Sequence, residues 1–244
     1  HNIRHELKDT PESLLKDYEN DDRTCLHVAA EDGDFEMIDI IFEKLSDEEK
    51  LRLLKLNATD IPRTVTVLSL RNGGATWAME LAKSATHEAL KTEIYGEVLV
   101  YTCHIDDAQA LQLLTSAVTS YTLMSLLSTF RLTPSKLSCI QWAAICGNNT
   151  FISIILPHFA SESVLPLLLL RLQSDDTKTA LHLACDRAQQ KVVETIIDLA
   201  PQSAQFGLIL ATDENGNTIL HSAVASGDKR LVQALKLDQL TGEQ

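Results

Sequence analysis

Apolar residues along this chain fall in pairs of helical stretches parted by a short polar break. Residues 179–185 read TALHLAC, residues 218–224 read TILHSAV and residues 24–30 read TCLHVAA. In each phrase the third, sixth and seventh places share one helical face, which predicts an amphipathic helix. A second, more apolar stretch follows each time: MIDIIF at 37–42, VVETII at 192–197 and LVQAL at 231–235. The Thr that opens each phrase can cap a helix through its hydroxyl. Gly33, Gly147 and Gly227 then suit the left-handed residue that ends it. The paired small residues allow a neighbouring helix to approach closely.

Aligning on the phrase extends the pattern to six units. Residues 138–147 (SCIQWAAICG) form the fourth. In the third, Leu99, Thr102, Cys103 and Asp106 take the Leu, Ala, Ala and Gly places. The second reads from Thr66 and is one residue short. Approximate bounds are 21–59, 60–91, 92–133, 134–174, 175–212 and 213–240 within a single domain of 1–244, and residues 1–20 are expected to be a capping helix with Pro11 at its first position. Leu-rich runs that begin with Ser at 46, 120, 161 and 203 predict a short third helix in most connectors.

These motifs, above all NGNTILHSAVASG at 215–227 and TALHLA at 179–184, resemble the ankyrin repeat. The resemblance covers nearly all the chain and implies an all-α fold, an α-solenoid of about six helix-turn-helix repeats. One departure is spacing: phrases start at 138, 179 and 218, steps of 41 and 39 against a family period of about 33. The extra length lies after the second helix, so the family's β-hairpin fingers are expected to be shortened or replaced.

Composition supports helix-on-helix packing, since 45% of residues are apolar but only 5% aromatic. A formal net charge of −13 disfavours nucleic acid, which requires clustered Lys and Arg, and favours partners with basic flanks. The five Cys are irregularly spaced without a CxxC; Cys103 and Cys185, in the place of the second Ala, are read as small buried hydrophobes and not bridges, which points to a reducing, cytoplasmic compartment. No signal-peptide pattern is present, and the most apolar run, at 164–172, is too short to span a bilayer. The chain starts at His1 rather than Met and is expected to belong to a longer protein.

No catalytic, cofactor or metal site is read from the sequence. His27, His182 and His221 share one register of three units, and the resemblance makes them scaffold residues bonded to nearby backbone. His87 lacks the second His of a zinc-protease helix, and no nucleophile elbow, P-loop or dinucleotide fingerprint occurs. Carboxylate pairs such as Asp175–Asp176 stand at turn positions, where Asp is favoured for conformational reasons. Trp142 either packs in the core, the preferred reading, or faces a groove as an aromatic anchor.

The resemblance also implies where a partner would bind: the concave face, built from turn residues before each Thr and from the two residues between the Ala pair and the Gly. The matching positions are Arg23, Glu31 and Asp32 in unit one, His104 and the adjacent Ile105 in unit three, Leu137, Ile145 and Cys146 in unit four, Lys178, Asp186 and Arg187 in unit five, and Asn215 and Asn217 in unit six. Trp142 joins them as an anchor. The ends of this set are charged and its middle is apolar, the anatomy of a protein-binding surface. The function expected is therefore a non-catalytic interaction scaffold that holds an apolar segment of a partner protein, with no cofactor. Alternatives are the cytosolic segment of a channel or multidomain regulator packing on its own chain, an enzyme with its site in the connectors, and self-association through those connectors.

Overall fold

The computed structural model describes residues 24–55, 64–132, 136–159, 168 and 178–237. Within them the chain is all-α apart from one two-stranded ribbon and an isolated β-bridge. It divides into two compact units, residues 1–98 and 99–244.

The first unit begins with α1 (Cys25–Asp32) and α2 (Phe35–Phe42), followed by α3 (Asp47–Leu54), α4 (Val65–Arg71) and α5 (Ala75–Ser84). α1 packs on α4, and each packs on the helix that follows it. Thr24 and His27 close a capping box at the start of α1, with Thr24 Oγ1 and His27 Nδ1 2.8 Å apart, which supplies orphan backbone groups with partners. Trp77 of α5 stacks on Phe35 of α2 at 5.6 Å between ring centroids and donates from Nε1 to Asp39 at 2.8 Å.

The second pair departs from its expected register. Its cap is Thr64, whose Oγ1 accepts from Val67 N at 3.2 Å, not Thr66. Thr64 then stands nine residues before Gly73 (φ 82°), as Thr24 stands nine before Gly33 (φ 71°), so the repeat is full-length. The Leu place holds Thr66 and the Ala places hold Ser69 and Leu70, all buried. The pattern of burial persists although the letters of the phrase are gone.

α6 (Glu88–His104) is one continuous helix that carries the third copy of the phrase in its last turns. Its start is capped from α3: Asp47 accepts from Thr86 N, Thr86 Oγ1 and His87 N at 2.6, 2.8 and 2.8 Å. The Thr86 hydroxyl foremost, then the two backbone donors, hold the Asp47 carboxyl down at about 2.

The second unit continues with α7 (Ala108–Ala117), α8 (Ser120–Thr129), the antiparallel ribbon β1 (Arg131–Leu132) and β2 (Leu137–Ser138), α9 (Cys139–Cys146), α10 (Asn149–Ile155) with a 3₁₀ turn at Leu156–His158, α11 (Ala180–Asp186), α12 (Gln190–Leu199), α13 (Gln202–Leu210), α14 (Ile219–Ala225) and α15 (Lys229–Ala234). First helices stack on first helices, α9 on α11 on α14. Second helices stack likewise, α7 on α10 on α12 on α15. Ile140, Ala143, Ala144, Leu181, Ala184 and Cys185 are buried between them. Removal of each large apolar side chain from water contributes about 1.5–3 kcal/mol.

Third helices occupy connectors as expected at α3, α8 and α13, although two start differently. Thr119 caps α8, and Pro201 holds the cap position of α13 without a side-chain hydrogen bond. The run at 161–172 lies outside the described residues except Leu168, as do the capping helix of 1–20 and Arg23. The ribbon is two residues per strand, and before α14 it is reduced to the bridge Thr212–Thr218.

Candidate functional site

Two ladders of lateral hydrogen bonds hold the first helices of the second unit in register. One runs forward from the His place: Gln141 Nε2 donates to Lys178 O at 3.1 Å, and His182 Nε2 bonds Asn217 O at 3.1 Å. His182 Nδ1 lies 2.8 Å from Thr179 Oγ1 and accepts from Thr179 N, so Nε2 carries the proton that the Asn217 carbonyl takes. Burial keeps this ring from charging, its pKa lying below the ordinary histidine value. The other ladder runs backward from the residue after the helix-ending turn. Asn148 Nδ2 donates to Thr102 O at 3.0 Å, and Gln189 Nε2 donates to Ile145 O at 3.1 Å. Sequence reading missed this second ladder, although an amide at the same place of two successive repeats was its signal.

These ladders fix the C-terminal ends of α6, α9 and α11, where the anticipated partner-contacting residues His104, Ile105, Ile145, Cys146, Asp186 and Arg187 lie. His104 is exposed, and its ring lies 5.1 Å from that of Trp142. His104 Nδ1 is 2.9 Å from Val100 O. A carbonyl only accepts, so Nδ1 holds a proton and donates it to Val100 O. Trp142 is half-buried, and its indole N–H is buried without a hydrogen-bond partner among the described residues. Ile105 is exposed (42%), Ile145 half-buried and Cys146 exposed. Partial burial lifts the Cys146 thiol above its ordinary pKa, against the pull of the Arg187 guanidinium nearby.

Charged residues border this apolar centre. Lys178 Nζ reaches Asp186 at 3.0 Å, whereas Arg187 is exposed and outside any ion pair among the described residues. Asp106, exposed and next to Ile105, stands at the other end; the sequence placed it only as a substitute for the turn glycine.

Other anticipated residues do not join the set. Leu137 is 6% exposed: pairing β2 with β1 turns it inward, so it serves packing and not a surface. Asn217 is tied into a turn in which Asp213 accepts from Asn215 N and Asn217 N at 2.9 Å each. Asn215 is exposed within that turn. Glu31 and Asp32 belong to the first unit, half-buried and exposed respectively.

Among the described residues no group of three or more His, Cys, Asp or Glu is arranged to hold a metal ion, and no helix is long and apolar enough to cross a membrane. Cys185 is buried and its thiol pushed up to about 12, which makes it an inert packing residue.

A family model for ankyrin repeats, in three copies, matches residues 97–241, well over half of the chain. No curated protein matches it. Ankyrin repeats are in general modules of protein–protein interaction, and proteins built from them are typically non-catalytic.

Proposed function

Because the chain belongs to the ankyrin-repeat family, we propose that it is a non-catalytic recognition scaffold that grips an extended segment of a partner protein with the ends of α6, α9 and α11. One observation carries this reading. Ile105, Ile145 and Cys146, around the His104–Trp142 pair, stay accessible at the ends of two helices, α6 and α9, that lateral hydrogen bonds tie to the repeats that follow them. Rigid presentation reduces the ordering cost of binding, so a small apolar patch can contribute measurable affinity. Large aromatic and aliphatic groups at the centre of such a patch are its expected anchors. The partner supplies an apolar anchor, and the chain's charge of −13 favours partners whose flanks are basic.

The test is Ile145→Asp. Ile145 is only half-buried, so the variant is expected to melt within a few degrees of the parent while affinity for a partner segment falls at least tenfold. Unchanged affinity together with unchanged melting would remove this surface from consideration.

A further inference from the structure

We infer that the binding face has a charge polarity that dictates the order of residues in the bound segment: a basic residue against Asp106, an apolar residue at Ile105 and Ile145, and an acidic residue against Arg187. The inference rests on the partner-binding reading above and adds to it the chemistry and direction of the ligand.

The charges along the face argue for it. Lys178 and Asp186 neutralise each other at 3.0 Å. Arg187, adjacent in sequence to that pair, is exposed and unpaired among the described residues, and its charge is felt at Cys146. At the far end Asp106 is exposed beside Ile105. Among the described charged residues at the C-terminal ends of α6, α9 and α11, those outside an ion pair are thus Asp106 in the third repeat and Arg187 in the fifth, with the apolar centre of Trp142 and Ile145 in the fourth. A ligand that buries its apolar group at that centre brings its flanks against both charges. A like charge there is disfavoured and an opposite one favoured, which sets specificity more than raw affinity. Packed helices are about 10 Å apart, so two steps span about 20 Å. At about 3.3 Å per residue of extended chain, the basic and acidic groups are roughly six residues apart.

This polarity separates local recognition from the overall charge. The total of −13 acts at long range and is screened within about 8–10 Å at physiological salt. The carboxylate that meets Arg187 is read at contact.

The experiment is selection of a random dodecapeptide library displayed on phage against the whole chain, and in parallel against the double variant Asp106→Lys, Arg187→Asp. Both positions are exposed, and unchanged melting checks that the variant is folded. Peptides enriched on the parent are expected to carry a Lys or Arg, an apolar centre and an Asp or Glu in one fixed order, and the double variant is expected to enrich the reverse order. If enriched peptides lose binding on Ile145→Asp but show no such order, or show the same order on both proteins, the charge inference falls and the binding face stands. If no peptide is enriched, or enriched peptides bind Ile145→Asp as well as the parent, both fall.

Discussion

The repeat that starts at Thr179 and the one carried by α6 reach the same packing by different means. In the first, Thr179 and His182 close a capping box, start α11 afresh and tie it forward to Asn217. In α6 no such start exists. The helix runs from Glu88 to His104, and the Thr place falls mid-helix at Glu97. Glu97 instead accepts a hydrogen bond from Thr64 Oγ1, the cap of α4, at 2.6 Å. Yet Leu99, Thr102 and Cys103 are as buried as Leu181, Ala184 and Cys185. The recurring phrase therefore encodes two separable properties, a helix start and a close-packed face, and only the face is required of every copy.

That separation predicts equal damage where the face is cut. Leu99→Ala and Leu181→Ala remove fully buried side chains, and each is expected to cost about 2–5 kcal/mol in urea unfolding. A Leu99 cost far below that of Leu181 would show that α6 is only a linker.

Smaller effects separate the two kinds of helix start. Burial, ahead of the nearby Glu93, raises the Glu97 carboxyl to about 7 although Thr64 donates to it and Lys55 opposes the rise. A raised carboxyl pKa stabilises the fold below the ordinary value near 4.5, and that contribution is lost as pH rises through 7. Glu97→Gln keeps an acceptor for Thr64 and removes the titration. It is expected to stabilise the protein at pH 8 by on the order of 1 kcal/mol and to lose that advantage progressively below pH 7 until it is gone near pH 4, as read from paired melting curves. An advantage that does not vary with pH would contradict this assignment.

The smallest effect concerns how helices end. Where other repeats place Gly33, Gly73, Gly147 and Gly227 with positive φ, the Thr179 repeat places Ala188 at φ 54°. An L side chain is disfavoured there by roughly 1 kcal/mol. Ala188→Gly is expected to raise stability by about 0.5–1 kcal/mol, whereas Gly147→Ala should lower it, since φ 74° disfavours an L side chain and the new Cβ would press on the Gln189 side chain.

The same separation explains what could be read from the sequence. Helix starts were legible wherever Thr and His occur together, as at Thr24, Thr179 and Thr218. The register at Thr64 was not, because Val67 holds the His place and Thr66 the Leu place, leaving only burial to reveal the repeat. In the third repeat the packed face was legible at Leu99, Thr102 and Cys103, but not the start of its helix, which lies upstream at Glu88 and leaves no cap at the Thr place. For the site, Ile145, Cys146, His104 and Arg187 followed from their places in the phrase. Leu137 did not, because two residues of strand are too few to show which face turns inward. The importance of Asn148 and Gln189 lies in contacts between repeats, which no single repeat displays.

The central functional claim is that the Trp142 end of α9 is the contact surface. The two indole N–H signals in a ¹⁵N-correlated NMR spectrum test it directly, because Trp77 Nε1 is committed to Asp39 in the first unit while Trp142 Nε1 has no partner among the described residues. On addition of a selected peptide the Trp142 signal is expected to shift and that of Trp77 to stay in place. A bound peptide that leaves the Trp142 signal unmoved would contradict the account.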